Sequence, residues 1–151
     1  MTSASNQDGP WAYTVEAGRE LSGEFTVGGS AYDFSVHGPN GLVRQFKGTA
    51  AGPEVTVRHD GAGGQVLLVL TNPGATSVRL TVTDAYGNLK HGQTYVLAPG
   101  ARIADAVPLS RSNNWYDLSV TSDSDATFLR RLAGHVESGR PSTSDPATIT
   151  R

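Results

Sequence analysis

Apolar and polar residues alternate in short segments along the chain, and clusters of Gly, Pro, Asn and Asp separate these segments. In residues 76–83, Val78, Leu80 and Val82 share one side, while the residues between them are polar. Because successive side chains of a strand point to opposite faces, this pattern predicts antiparallel strands with one buried and one solvated face. We expect strands at residues 11–16, 21–27, 31–37, 42–47, 54–59, 65–71, 77–84, 93–97, 102–107, 115–121 and 127–134.

Residues that favour turns separate these predicted strands. The sequence Gly38-Pro-Asn-Gly41 favours a type I turn with Pro39 at its second position, and residues 72–74 and 86–88 mark two further connections. We find no helical stripe longer than two turns. The fold class is therefore predicted to be all-β, an antiparallel β-sandwich of immunoglobulin-like or jelly-roll-like shape with about eight to eleven strands and an irregular C-terminal tail.

Three segments from the first third of the chain recur later in the same order, and their separation rises only from 82 to 86 residues. Such self-similarity predicts an internal repeat. The matched pairs are residues 13–18 with 95–100, 32–36 with 116–120, and 44–48 with 130–134.

The repeat divides the chain into expected regions. Residues 1–10 are predicted to be a disordered leader, residues 11–50 the latter half of a first unit, and residues 51–147 a complete second unit whose residues 135–147 form an extended tail. Half a sandwich has bare strand edges, so the first unit must add its strands to the second or pair with another chain. We expect packing within the chain.

The composition argues against several classes of function. Twelve Lys and Arg stand against 14 Asp and Glu, with no clustered basic stretch, which argues against nucleic-acid binding. Cysteine is absent, which excludes disulfides and thiolate chemistry. The longest apolar run, residues 66–70, is too short to span a bilayer, and residues 1–10 show no signal peptide.

The sequence offers no recognisable reaction centre. His37, His59, His91 and His135 are scattered at turns and strand ends, without the spacing of a metal site. No Gly-x-Ser-x-Gly motif occurs. We expect no catalytic residue, no metal and no cofactor in this chain.

The repeated Tyr-Asp steps at Asp33 and Asp117 have Arg44 and Arg130 downstream. One interpretation is a functional carboxylate. The other, which we favour, is structural, because an Asp and a cross-strand Arg can pair and help to fix the strand register. We expect Asp33 to pair with Arg44, and Asp117 to pair with Arg130 or Arg131.

Aromatic residues are the best candidates for ligand contact. Trp115, Tyr86 and Trp11 are the positions that we select for contact with choline, a sugar or a lipid surface. Trp115 ranks first, because Trp115 and Tyr116 are adjacent and must point to opposite faces of a strand. The competing interpretation is burial between two sheets, which is the commoner fate of aromatic side chains.

Residues 31–48, 115–120 and 128–146 resemble the C-terminal domains of bacterial phosphocholine-type phospholipases C, both haemolytic and non-haemolytic. The resemblance covers residues 11–147. Enzymes of this family carry the module twice, after an alkaline-phosphatase-like catalytic domain. The metal-dependent hydrolysis of phosphatidylcholine-type lipids resides in that domain, and its ligands have no counterparts in this sequence.

The resemblance implies a non-catalytic accessory domain of a secreted enzyme. As partners it implies the upstream phosphatase-like catalytic domain and, as a further expectation, a phospholipid surface. An independent carbohydrate-binding or adhesion-type β-sandwich module is the alternative, because fold alone does not supply a function.

Overall fold

A computed structural model describes residues 2–3, 10–24, 31–49 and 52–148. These residues form ten strands and one short 3-10 helix at Pro146–Thr148. The strands are β1 (Thr2–Ser3), β2 (Ala31–His37), β3 (Val43–Thr49), β4 (Glu54–Asp60), β5 (Gln65–Thr71), β6 (Val78–Asp84), β7 (Gln93–Leu97), β8 (Arg102–Pro108), β9 (Trp115–Ser122) and β10 (Leu129–His135). None of the described residues belongs to a helix long and apolar enough to cross a membrane.

The strands form two antiparallel sheets. The larger sheet has the order β1-β2-β3-β10-β9-β6-β7, and the smaller has the order β4-β5-β8. Taken alone, β4 to β10 make a seven-stranded sandwich with sheets of three and four strands, which is the immunoglobulin-like arrangement rather than the eight-stranded jelly roll. The predicted all-β sandwich is confirmed.

The hydrophobic core lies between the two sheets of this seven-stranded unit. Alternate residues of each strand supply it, as the sequence pattern requires. On β9, Tyr116, Leu118 and Val120 are fully buried. The other fully or nearly fully buried apolar side chains include Val66, Leu68, Leu70, Leu80, Val82, Leu97, Val107 and Leu109.

Nine of the eleven predicted strands are present, with ends within two residues of the prediction. The strand predicted at residues 11–16 is wrong, because residues 10–24 contain no strand. The strand predicted at 21–27 is also wrong over residues 21–24, and residues 25–27 lie outside the described residues. No described strand pairs with residues 10–24.

Two residues of the predicted leader, residues 1–10, lie in a strand. Thr2 and Ser3 form β1, which pairs with Ser35 and Phe34 of β2. Residues 1 and 4–9 of this prediction lie outside the described residues.

The turn between β2 and β3 differs from the predicted type I turn. Asn40 and Gly41 both have positive φ, at 54° and 67°, and the Leu42 amide donates to the Pro39 carbonyl at 3.2 Å. Positive φ at both central residues is the type I′ geometry, which follows the right-handed twist of a hairpin. Asn-Gly therefore occupies the centre of the turn, and Pro39 precedes it.

The two predicted units join within the chain. Strand β3 pairs with β10, so β2 and β3 extend the larger sheet of the second unit. This is the intrachain alternative of the two that the sequence allowed. Gln45 lies opposite Arg131 at the middle of this seam.

The tail after β10 packs on the outer face of β9. Trp115 Nε1 donates to the Thr143 carbonyl at 3.0 Å, and the Ser142 hydroxyl lies 3.1 Å from His135 Nε2. The His135 ring lies 4.8 Å from the Trp115 ring, centroid to centroid. The tail thus covers a side chain that would otherwise face solvent.

Candidate functional site

A polar cluster crosses the seam between β3 and β10 on the inner face of the larger sheet. Arg44 donates through Nη2 to the phenol oxygen of Tyr116 at 2.8 Å and through Nη1 to the Ala133 carbonyl at 2.6 Å. The same phenol oxygen lies 2.7 Å from Nε2 of His59, which belongs to the smaller sheet. Tyr116 therefore links both sheets and both predicted units.

The local sequence explains why Tyr116 can reach this position. Tyr116 lies directly opposite Gly134 on β10. A Cβ atom at Gly134 would be only 3.1 Å from the Tyr116 phenol oxygen, which is a tighter contact than side chains usually make. The missing side chain at Gly134 leaves room for the phenol to lie across β10 and meet Arg44.

Arg130 makes the same set of contacts in the opposite direction. It donates through Nη1 to the Lys47 carbonyl at 2.6 Å and through Nη2 to the phenol oxygen of Tyr32. Its guanidinium also lies over the Phe128 ring at 4.3 Å and the Phe46 ring at 5.6 Å. Only 7% of Arg130 is exposed, so these contacts hold a buried cation.

The two sets of contacts are related by the sequence match between the units. Arg44 matches Arg130, and Tyr116 matches Tyr32. Each arginine reaches the tyrosine of the other unit, so exchanging matched residues converts one contact into the other. The β3–β10 pairing behaves in the same way, since Arg44 lies opposite Leu132 and Phe46 opposite Arg130. We call this pair of reciprocal contacts the Arg–Tyr seam.

Burial and charge shape the electrostatics of the Arg–Tyr seam. The pKa of His59 is lowered first by partial burial and then by its electrostatic interaction with Arg44 and with His135. Burial raises the pKa of Tyr116, although Arg44 opposes this shift. Tyr116 therefore stays protonated and can donate to a neutral His59 while it accepts from Arg44.

This arrangement serves to join strands. The hydrogen-bonding groups of Arg44, Arg130 and Tyr116 are directed at other groups of the protein. Arg130 also lines an open pocket together with Tyr32 and Phe46. The seam was not predicted from the sequence, because Arg44 was expected to pair with Asp33 and Arg130 was one of two expected partners of Asp117. The usable signal was the recurrence of an aromatic phenol and an arginine at matched positions of the two units.

The expected Asp33–Arg44 ion pair is wrong. Asp33 lies opposite Lys47 and binds it at 2.8 Å. Arg44 lies opposite Val36, three residues from Asp33, and an odd separation puts the two side chains on opposite faces of the hairpin. Asp33 and Lys47 therefore pair on the outer face.

The second expected ion pair had two candidate partners for Asp117. In the structure the partner is Arg131, which binds Asp117 through Nε at 2.8 Å and through Nη2 at 2.6 Å. Arg130 is not the partner, because it lies opposite Val120, on the inner face. Arg131 lies opposite Ser119, on the same outer face as Asp117.

Trp115 is not the exposed aromatic residue that the sequence analysis preferred. Only 8% of it is exposed, and the tail covers it. A Cβ atom at Gly41 would be 2.8 Å from the Trp115 ring, so the β2–β3 turn also packs closely against this ring. Opposite faces of β9 do separate Trp115 from Tyr116, but both faces are covered.

The other two aromatic candidates are half-buried. The Tyr86 hydroxyl donates to Asp145 of the tail, and burial followed by this hydrogen bond raises the Tyr86 pKa. Trp11 lines an open groove of about 820 Å³ together with Tyr13, Val15 and Leu42. Tyr86 and Trp115 both bind the tail, and Trp11 lines the groove.

Within the described residues, no group of three or more His, Cys, Asp and Glu side chains could hold a metal ion. His59 lies against Tyr116, and His135 lies against Glu137 at 3.1 Å. Both contacts belong to the packing of the sandwich and its tail.

Comparison with known proteins adds information that the geometry does not contain. The model of the family described as "Bacterial phospholipase C, C-terminal domain" matches residues 1–49 and 53–135. Non-hemolytic phospholipase C of Burkholderia pseudomallei is 50% identical over 159 aligned residues, which cover 99% of this chain and 23% of that protein.

Two proteins of Pseudomonas aeruginosa are also similar. Its hemolytic phospholipase C is 42% identical over 87% of this chain and 19% of that protein. Its non-hemolytic phospholipase C is 36% identical over 93% of this chain and 22% of that protein. The chain therefore spans about a fifth of the length of the curated relatives that it matches.

Proposed function

This chain belongs to the family of bacterial phospholipase C C-terminal domains, and from that premise we propose that it is a non-catalytic accessory domain of a secreted phospholipase C. The observation that carries the proposal is the match over 99% of the chain to a protein named as a phospholipase C, of which it makes up only 23%. In this proposal the chemistry belongs to the remainder of the longer protein.

The use of polar side chains in the sandwich supports an accessory role. Tyr116, Arg44 and Arg130 are buried or half-buried, and each is occupied in joining strands. A reacting group needs room for a substrate beside it, and a phenol that is held between an arginine and a histidine has little. The Arg–Tyr seam is thus suited to rigidity.

The parent protein, in this proposal, hydrolyses the phosphodiester bond of phosphatidylcholine-type lipids outside the cell. The domain packs on the catalytic domain and helps it to engage substrate at a membrane surface. The alternative is an independent carbohydrate-binding or adhesion module. Trp115, the first-ranked candidate for ligand contact in either role, is 8% exposed and bound to the tail.

A deletion experiment with two substrates tests the proposal. Full-length phospholipase C with and without this domain is assayed on a soluble phosphocholine ester and on phosphatidylcholine vesicles. We expect deletion to reduce vesicle hydrolysis more than hydrolysis of the soluble ester, and the 151-residue chain alone to hydrolyse neither. The soluble ester serves as the internal control for damage to the catalytic domain.

Two results would contradict the proposal. Turnover by the purified 151-residue chain would contradict the non-catalytic role. Equal loss on both substrates would show that the domain does not act at the lipid surface. Binding of the chain to a glycan panel, without any effect of deletion on the enzyme, would favour the alternative.

A further inference from the structure

Three segments meet at one end of the sandwich: the turn between β4 and β5, the connection between β8 and β9, and the tail after β10. The Val136 amide donates to the Asn114 carbonyl at 2.9 Å, which ties the tail to the β8–β9 connection. A Cβ atom at Gly61 would collide with the Glu137 carbonyl oxygen, so the tail also packs directly on the β4–β5 turn. Loops held together at the end of a sandwich are a common place for a binding site, because the strands beneath them fix their positions.

Two adjoining cavities lie between these segments. One, of about 280 Å³, lies between the β8–β9 connection and the tail, and the other, of about 390 Å³, lies between the β4–β5 turn and the tail. Asn114, Ser138 and Arg140 line both cavities. We call the two cavities with this shared wall the loop-end cavity.

The charge of the loop-end cavity favours an anion. Arg140 lines both of its parts, and none of the described Asp and Glu residues lines either. Among the described residues, Arg140 is exposed and has no ion-pair partner. Its guanidinium can therefore bind an anion that enters the cavity.

Two carboxylates of the adjoining segments are already bound elsewhere. Asp60 accepts hydrogen bonds from the Gly63 amide at 2.9 Å and from Gln65 Nε2 at 2.8 Å. Glu137 lies 3.1 Å from Nδ1 of His135. These contacts hold both carboxylates against the walls and leave Arg140 as the charged group that faces a ligand.

Neutral donors and a preformed wall complete the site. The hydroxyls of Ser110 and Ser138 and the amide of Asn114 lie in the lining, and such groups donate to phosphate oxygens. His135 is only 8% exposed, and its Nε2 lies 3.2 Å from the Asn113 carbonyl and 3.1 Å from the Ser142 hydroxyl. His135 thus joins the β8–β9 connection to the tail, so little ordering is needed when a ligand binds.

We propose that the loop-end cavity binds a phosphoryl group, with Arg140 as its charged contact and Asn114 and Ser138 as neutral donors. A guanidinium matches two phosphate oxygens at once, and the neutral donors approach the remaining oxygens from other sides. Choline is recognised by aromatic faces or by carboxylates, and the lining has no Phe, Tyr, Trp, Asp or Glu. The cavity therefore recognises the phosphoryl part of its ligand.

Two sources can supply that group, namely the phosphodiester of a lipid head group and a soluble phosphomonoester such as phosphocholine. The inference deepens the proposed function, on which the lipid source rests. It places contact with substrate at the end of the sandwich formed by the tail.

A titration of the 151-residue chain, followed by the NMR shifts of its amides, tests the site. We expect saturable shifts in residues 61–64, 110–114 and 138–143 with inorganic phosphate and with phosphocholine, and no saturable shifts with choline chloride at the same ionic strength. Absence of saturation with both phosphoryl compounds would overturn the proposal. Equally tight binding of acetate would overturn the assignment to a phosphoryl group.

A matched pair of variants tests the role of Arg140. Arg140→Gln should weaken the binding of phosphocholine at least about tenfold, because it removes hydrogen bonds from a charged donor. Arg102→Gln is the control, since Arg102 is also exposed and lies at the opposite end of β8 from the cavity. Equal weakening by both variants would show a general effect of charge and would overturn the proposal.

A third variant guards against an unfolded Arg140→Gln protein. Ser138→Asp puts a carboxylate into the loop-end cavity and should abolish the saturable shifts. Phosphocholine binding that Ser138→Asp leaves unchanged would overturn the proposal.

Flotation with vesicles distinguishes the two sources. Binding of the chain to phosphatidylcholine vesicles but not to digalactosyldiacylglycerol vesicles, which carry no phosphate, identifies the lipid if Arg140→Gln abolishes it. Saturable phosphocholine binding without vesicle binding identifies the soluble monoester.

None of these measurements involves hydrolysis, so they separate the inference from the proposed function. If Arg140-dependent phosphocholine binding is found but deletion of the domain does not affect vesicle hydrolysis selectively, the site stands and the proposed function fails. If no phosphoryl compound binds but deletion acts as expected, the site fails and the proposed function stands.

Discussion

The guanidinium of Arg44 donates a hydrogen bond of 2.8 Å to the phenol oxygen of Tyr116, although the two residues lie 72 positions apart, in different predicted units of the chain. Arg130 and Tyr32 form the reverse contact. Hydrogen bonds to charged groups are stronger than neutral ones, and a buried cation that loses its partner is costly. The reciprocal contacts therefore make the seam between the units depend on a few identifiable side chains.

Removal of the Tyr116 hydroxyl is expected to destabilise the protein. Tyr116→Phe keeps the ring but deprives Arg44 of an acceptor and His59 of its partner. We expect a loss of about 1–3 kcal/mol in the free energy of unfolding, measured by urea denaturation. Tyr13→Phe is the control, because Tyr13 lies outside the seam and is 54% exposed, so its loss should stay below about 1 kcal/mol. Equal losses of unfolding free energy in the two variants would contradict a stabilising role of the Arg–Tyr seam.

Replacement of Arg44 by lysine is expected to lower the free energy of unfolding. Arg44 uses two separate nitrogens for the Ala133 carbonyl and the Tyr116 phenol, and an ammonium group cannot reproduce that geometry. We expect Arg44→Lys to cost about 1–2 kcal/mol and to couple to Tyr116→Phe by about 0.5–3 kcal/mol in a double-mutant cycle. Additive effects of the two substitutions would contradict direct coupling.

The ion pair between Arg131 and Asp117 provides a matched control for that substitution. The Arg131 side chain is 44% exposed, so solvent screens the pair. We expect Arg131→Lys to change the free energy of unfolding by less than about 1 kcal/mol.

Stability is expected to fall at mildly acidic pH because of His59. Its pKa is lower in the folded protein than in the unfolded chain, so the unfolded chain binds the proton more readily. The contribution of His59 is therefore fully present above the unfolded pKa of about 6.5 and is lost as the pH falls below that value towards the folded pKa. Urea unfolding at pH 7.5 and pH 5 measures this loss.

Two variants separate His59 from the other titrating groups. His59→Gln should reduce the difference in stability between the two pH values, since glutamine does not titrate. His37→Gln, at an exposed strand end, should leave the difference as it is in the unsubstituted protein. A pH dependence unaffected by His59→Gln would refute the assignment.

Quenching of tryptophan fluorescence should show that the tail shields Trp115 from solvent. The chain has two tryptophans, so Trp11→Phe leaves Trp115 as the only tryptophan whose emission is followed. We expect weak quenching by acrylamide, and a marked increase when residues 138–151 are deleted, because Thr143 then no longer binds the indole N–H. Trp115→Phe, which leaves the half-buried Trp11, should be quenched more strongly than the Trp11→Phe protein. Strong quenching of Trp115 in the intact protein would contradict its burial.

The alternation of apolar and polar residues predicted most of the fold. Because a strand exposes one face and buries the other, local pattern located β6 and β9, and turn residues located their ends. The same pattern failed at residues 11–16, since alternation records which face can be buried but not whether a neighbouring strand exists to pair with. Strand formation there depends on distant residues.

The family was also within reach of the sequence, because the resemblance lies in residues 31–48, 115–120 and 128–146, and the family match covers those residues except 136–146. The partners of individual side chains could not be predicted from the sequence. Assigning Asp33 to Arg44 required the register of β2 and β3, and a shift of one residue moves a side chain to the opposite face.

The sequence by itself therefore determined the class of fold, the strands that find neighbours within the chain, and the family. Only the tertiary structure decided that Arg44 binds Tyr116, that Trp115 is covered by the tail, and that β3 joins β10. The physical reason is that periodicity is a local property of the backbone, whereas contacts between residues 72 positions apart, such as Arg44 and Tyr116, depend on which sheet edges meet.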